Sequence, residues 1–133
     1  METMNEAQTI TLLNVSTGLG LTAATNQFSP YDAESTDYIV EIKNRRAYYK
    51  DKMLEAYKLF ANYQQAQLKG KQFLYVVTDS EGIWVYNISK HIESIIKQSP
   101  KPLQCPAQTD FGNKTKITKF VFTLAESLAT KLN

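Results

Sequence analysis

The run Tyr38-Ile39-Val40-Glu41-Ile42-Lys43 is followed within a few residues by a change of hydrophobic period, and this switch constrains the fold more than any other feature. The run is rich in β-formers, follows the turn-prone Ala33-Glu34-Ser35-Thr36-Asp37, and sends alternate side chains to opposite faces. Tyr49, Met53, Tyr57, Phe60, Ala61 and Leu68 then recur every three or four residues. That spacing predicts one long helix over residues 46–68 with these side chains as its core-facing stripe rather than a base-stacking platform. Gly70 stops the helix, with Lys69 in its last turn. A strand feeding a helix calls for a sheet with helices packed on it.

The rest of the chain fits that frame. Residues 5–13 form a weak helix candidate, because Thr9, Ile10 and Thr11 are β-branched, and strands follow between Leu21 and Lys43. Phe73-Leu74-Tyr75-Val76-Val77 and Ile83-Trp84-Val85-Tyr86 read as a hairpin across Asp79-Ser80-Glu81-Gly82, with Gly82 in a left-handed position. Trp84 and Tyr86 belong to the core, a subunit interface or an exposed face. A short helix runs through Ile92, Ile95 and Ile96, and three prolines between Ser99 and Pro106 predict a stretch without regular structure. A strand over residues 117–124 and a last helical turn over 125–132 close the chain. The expectation is one α/β domain over residues 1–133, a mixed central sheet flanked by helices, with a core at about 5–90 and an extension at about 91–133.

Composition removes several chemistries. With one cysteine (Cys105) and one histidine (His91) in 133 residues, disulfide frameworks, cysteine-rich zinc sites and multi-histidine metal chemistry are excluded. The acidic opening Met-Glu-Thr-Met-Asn-Glu lacks the basic start of a secretory signal, and Asn14, Gly18 and Gly20 break the apolar stretch at 10–24. A cytoplasmic chain, away from the membrane and without an organic cofactor, is expected. The formal charge is +2, but residues 1–40 hold five acids and no base, while residues 41–133 hold fifteen bases against eight acids.

On the strand face, Glu41 and Lys43 stand on the side of Ile39, away from Val40 and Ile42. If residues 34–37 form a four-residue turn, Asp32 pairs with Ile39 and lies one diagonal step from Glu41, at roughly 7 Å. A one-residue slip would turn Asp32 to the other face. Asp37 shares the Glu41 face but stands too far along the strand to share an ion, and reads as a turn residue. Two carboxylates converging on one hard cation, with the Ile42 carbonyl, suit Mg²⁺ or Mn²⁺ in phosphodiester hydrolysis. Lys43 would orient or help deprotonate the attacking water, and Arg45, Arg46, Lys50 and Lys52 would grip the phosphate backbone. Lys114, Lys116 and Lys119 form a further candidate phosphate-facing segment.

Asp32, the nine-residue step to Glu41, and Glu41-Ile42-Lys43 closing a strand ahead of a helix resemble the PD-(D/E)XK nuclease superfamily, the restriction-endonuclease-like fold. The resemblance covers residues 5–88 and is closest to small phage-type members, which would place the protein in a host cytoplasm. It implies an αβββαβ core, Mg²⁺-dependent DNA cleavage, Asp32 and Glu41 as metal-binding acids and Lys43 as the catalytic lysine. It also implies Glu6, or less readily Glu2, as an extra acid on the first helix, and Gln64 or Gln65 as a polar residue on the helix after the motif. The proline stands one residue early, in Pro30-Tyr31-Asp32. A single metal site on so small a chain implies a homodimer for duplex cleavage. Two rivals remain: the same fold binding nucleic acid or protein without turnover, and an interaction protein in which Glu41 and Lys43 are a surface pair.

Overall fold

A computed structural model describes residues 3–26, 28–106 and 116–132, without the side chains of Cys105 and Pro106. The chain opens with α1 (Glu6–Thr17), which ends four residues beyond the expected helix over 5–13. Its N-terminus is secured by a capping box: Asn5 Oδ1 accepts the Gln8 N–H at 2.8 Å and Gln8 Oε1 accepts the Asn5 N–H at 2.9 Å. Gly18, at φ 71°, ends the helix in the left-handed conformation that glycine adopts without a Cβ penalty.

Strands β1 (Thr22–Ala23), β2 (Ala33–Glu34) and β3 (Tyr38–Asn44) follow, then β4 (Lys52–Glu55), α2 (Ala56–Lys69), β5 (Gln72–Asp79) and β6 (Gly82–Asn87). α3 (Ile92–Ile96), β7 (Lys101–Pro106), β8 (Lys116–Leu124), a 3₁₀ turn (Glu126–Leu128) and β9 (Ala129–Leu132) complete the order. Six strands form a mixed sheet in the order β1-β2-β3-β5-β6-β9. Its central pair, β3 and β5, is parallel, and the other pairs are antiparallel. Parallel neighbours need a long crossover, here made by β4 and α2. The fold is therefore mixed α/β with few helices.

The two sheet faces carry separate cores. Val40, Ile42, Leu74 and Val76 pack with Ile10 and Leu13 of α1, whereas Ile39, Phe73, Tyr75 and Tyr86 pack with Leu59 and Ala66 of α2. Trp84 and Tyr86 are buried on this second face.

Three sequence expectations give way. The helix predicted over residues 46–68 starts at Ala56, because Lys52-Met53-Leu54-Glu55 instead pairs antiparallel with β8 in a second sheet, ordered β4-β8-β7. Its anticipated core stripe is solvent-facing: Tyr57 is 78% and Leu68 75% exposed, while Leu59, Asn62 and Ala66 turn inward. The proline-containing segment is strand β7, tolerated because it lies at the sheet's edge. The last helical turn is the 3₁₀ turn followed by β9, which closes the central sheet against β6. No helix among the described residues is long and apolar enough to cross a membrane.

Candidate active site

The β2–β3 ladder positions the two motif acids. Ala33 pairs with Val40 and Glu34 with Ile39, two residues away from the expected register. The turn closes through the Ser35 N–H to the Tyr38 carbonyl at 2.8 Å, leaving Thr36 and Asp37 exposed at its tip. A shift of two residues preserves side-chain parity, so the facing inference survives a mistaken register. The Val40 carbonyl also accepts the Asp32 N–H at 2.8 Å, so two residues face one, as in a β-bulge. Asp32 Oδ2 then accepts the Ile42 N–H at 2.7 Å. A strand residue's N–H and C=O point to the same edge, so the Ile42 carbonyl opens on the Asp32 side as well.

Glu41, on the face covered by α2, is 7% exposed. Burial, and then the negative charge of Asp32, raise its pKa from 4.5 to about 7, against the partial relief of a lysine ammonium. That lysine is Lys58 of α2, whose Nζ lies 3.5 Å from Glu41 Oε1. Sequence reasoning missed it, because the helix face that meets the sheet is not the apolar one. Glu6, in the first turn of α1, approaches Asp32 from the other side, and its carboxyl is also raised, by burial and then by Asp32. Asp32 is thus the shared neighbour of two acids that do not form one cluster: among the described residues no group of three or more His, Cys, Asp or Glu could hold a metal ion.

The donor set of Asp32, Glu41 and the Ile42 carbonyl still fits a hard divalent cation. Mg²⁺ is commonly held by one or two carboxylates while keeping several waters. A buried carboxyl that is hard to ionise beside a second carboxylate is the electrostatic setting such a cation relieves.

Lys43 follows two residues on and is exposed, yet protein around its ammonium, then Arg45 and Lys58, lower its pKa. Arg45 is half-buried, with its N–H on the Thr78 carbonyl at 2.8 Å, while Arg46 and Lys50 are exposed in residues 45–51. Lys116 is exposed on β8, and Lys114 and Glu2 lie outside the described residues. On α2, Gln64 is exposed and Gln65 half-buried; the polar side chain turned inward is Asn62, one turn beyond Lys58.

Lys52, expected to face phosphates, is instead 4% exposed. The alternation of β4 points it inward, where Nζ lies 2.6 Å from Glu126 Oε2, 3.6 Å from Asp79 Oδ2 and 2.8 Å from the Tyr49 carbonyl. It also sits 4.2 Å from the Tyr48 ring centre and 4.0 Å from that of Trp84. Tyr48 donates its hydroxyl to Glu126 Oε2 at 2.7 Å. Comparison of the chain with family models, curated proteins and solved structures finds no match.

Proposed function

We propose that this protein is a metal-dependent DNA endonuclease with a restriction-endonuclease-like core, hydrolysing phosphodiester bonds at Asp32, Glu41 and Lys43. The observation that carries this reading is the meeting of Asp32 and the buried, charge-strained Glu41 beside the Ile42 carbonyl. A bound Mg²⁺ or Mn²⁺ would lower the pKa of a coordinated water and neutralise charge on the scissile phosphate. Asp32 and Glu41 hold that charge in place, and the Ile42 N–H fixes the rotamer of Asp32. Lys43, whose ammonium is easier to deprotonate than an ordinary lysine's, takes a proton from the attacking water when it is the neutral amine, or steadies the developing negative charge when it is the ammonium. Arg45, Arg46 and Lys50 follow along the chain and contact the backbone phosphates. Two copies related by a two-fold axis supply the second site that duplex cleavage requires.

A second reading, nucleic-acid binding without turnover, draws on the basic residues 45–51, whose presentation to solvent does not depend on the carboxylates. Incubating supercoiled plasmid with Mg²⁺, Mn²⁺ or Ca²⁺ separates the two. Nicking or linearisation with Mg²⁺ or Mn²⁺ but not Ca²⁺, lost in Glu41→Ala and Lys43→Ala, is the expected outcome. Cleavage that survives both substitutions sinks the assignment. Retained DNA binding with no cleavage by any metal favours the second reading.

A further inference from the structure

The segment between β3 and β4, residues 45–51, walls an open groove of about 570 Å³ lined by Arg45, Tyr48, Tyr49, Lys50, Asp51 and Met53. Two cations, one acid, two aromatic rings and a thioether are an unusual lining for a loop that only connects strands. Tyr49 is 59% exposed. Exposed tyrosine beside arginine and lysine suits a ligand with a flat apolar face and a negatively charged backbone.

The groove is held rather than floppy. Lys52 Nζ clamps the Tyr49 carbonyl at 2.8 Å from beneath, and Tyr48 is pinned by its hydroxyl on Glu126 and by the Trp84 ring, centred 6.1 Å away. A ring presented from an anchored backbone loses little freedom on binding. The groove also continues the candidate active site. Arg45 directly follows β3, with its N–H on the Thr78 carbonyl of β5 at 2.8 Å, and it acts electrostatically on Lys43.

We infer that this groove binds single-stranded or locally unpaired DNA, with a base stacked on Tyr49 and the neighbouring phosphates on Arg45 and Lys50. A base inside a continuous duplex has no free face to offer, whereas an unpaired one does. As a statement about substrate, the inference rests on the nuclease reading; as a statement about binding, it is tested apart from cleavage.

The experiment is fluorescence anisotropy in EDTA, with a labelled oligothymidylate of about 16 nucleotides, an oligouridylate of equal length and a fully paired hairpin duplex. The proteins compared are the wild type, Tyr49→Ala and Tyr49→Phe, each checked for folding by circular dichroism. The thymidylate strand is expected to bind more tightly than the duplex. Tyr49→Ala is expected to weaken strand binding at least about fivefold without altering duplex binding, and Tyr49→Phe to restore it. Equal strand affinity in Tyr49→Ala, duplex binding as tight as strand binding, a preference for the uridylate, or no binding at all would each overturn the inference. The plasmid assay keeps the two readings apart. Glu41-dependent cleavage without a Tyr49 effect removes only the groove's role. Tyr49-dependent strand binding in a protein that no metal activates removes only the nuclease.

Discussion

Two clusters of buried charge lie on the same side of the central sheet, and they are built on opposite principles. Around Lys52, one ammonium meets two carboxylates, a backbone carbonyl and two aromatic faces. Around Glu41, a buried carboxyl faces a second acid, and the cation paired with it, the 40% exposed Lys58 side chain, stands at 3.5 Å. In the first cluster the ammonium is itself buried among its partners and tethers the Tyr49 carbonyl. In the second the ammonium is partly in solvent and the buried carboxyl is hard to ionise, which is costly in the protein alone and useful when positive charge arrives. A buried cation marks scaffolding here, and a strained carboxyl marks the place where chemistry is expected.

The sharpest way to break this contrast is to remove the cation from the cluster around Lys52. Lys52→Met leaves the Asp79 carboxylate, already fully buried, without its ammonium, and is expected to cost about 3–5 kcal/mol in urea unfolding. Adding Asp79→Asn should recover much of that loss. A Lys52→Met protein as stable as the wild type would mean that the cluster does not organise the fold.

The cluster around Glu41 predicts the reverse sign. In the folded protein Glu41 holds its proton up to about pH 7, against an ordinary 4.5. A raised carboxyl pKa costs nothing below the unfolded value, and the cost grows as pH climbs from 4.5 through 7. Without divalent metal, stability should therefore fall across that window. Glu41→Gln is expected to gain about 2–3 kcal/mol at about pH 8 and nothing near pH 4. Denaturant melts in EDTA at the two pH values measure it, and a Glu41→Gln protein less stable at the higher pH would contradict the strain.

The smallest effect is expected at Lys58. Its ammonium is largely solvated, so Lys58→Met should change stability by only about 0.5 kcal/mol at neutral pH while pushing the Glu41 pKa further up. Carboxyl carbon NMR titration follows that shift directly. A fall in the Glu41 pKa would show that some other cation compensates it.

The same contrast explains what was legible in the sequence. The faces of Glu41 and Lys43 follow from strand alternation, which is local and has a fixed period. Asp32 reached Glu41 even though the turn was misplaced, because an error of two residues keeps the face. The hairpin of β5 and β6 was readable from Asp79-Ser80-Glu81-Gly82, where Asp79 Oδ1 accepts the Glu81 and Gly82 N–H groups at 2.8 and 3.2 Å. What failed was non-local. Met53 belongs to a helical spacing by its neighbours, yet it sits in a strand because Lys52–Glu55 pairs with residues 121–124, some 70 positions later. The same distant pairing aims Lys52 inward and starts α2 at Ala56, which sends Tyr57 and Leu68 to solvent and Lys58 toward Glu41. No local pattern carries that information.

The clamp beneath Tyr49 also has a history during synthesis. Lys52 and its nearest carboxylate, Glu126, are 74 residues apart. At ribosomal speeds of roughly 5–20 residues per second, Lys52 precedes that partner by about 4–15 s. Until Glu126 arrives, Lys52 lacks its nearest carboxylate, and the Tyr48–Tyr49 segment is untethered from it. The platform beside the carboxylate pair is therefore completed well after its own segment is made, once the 3₁₀ turn that carries Glu126 is in place.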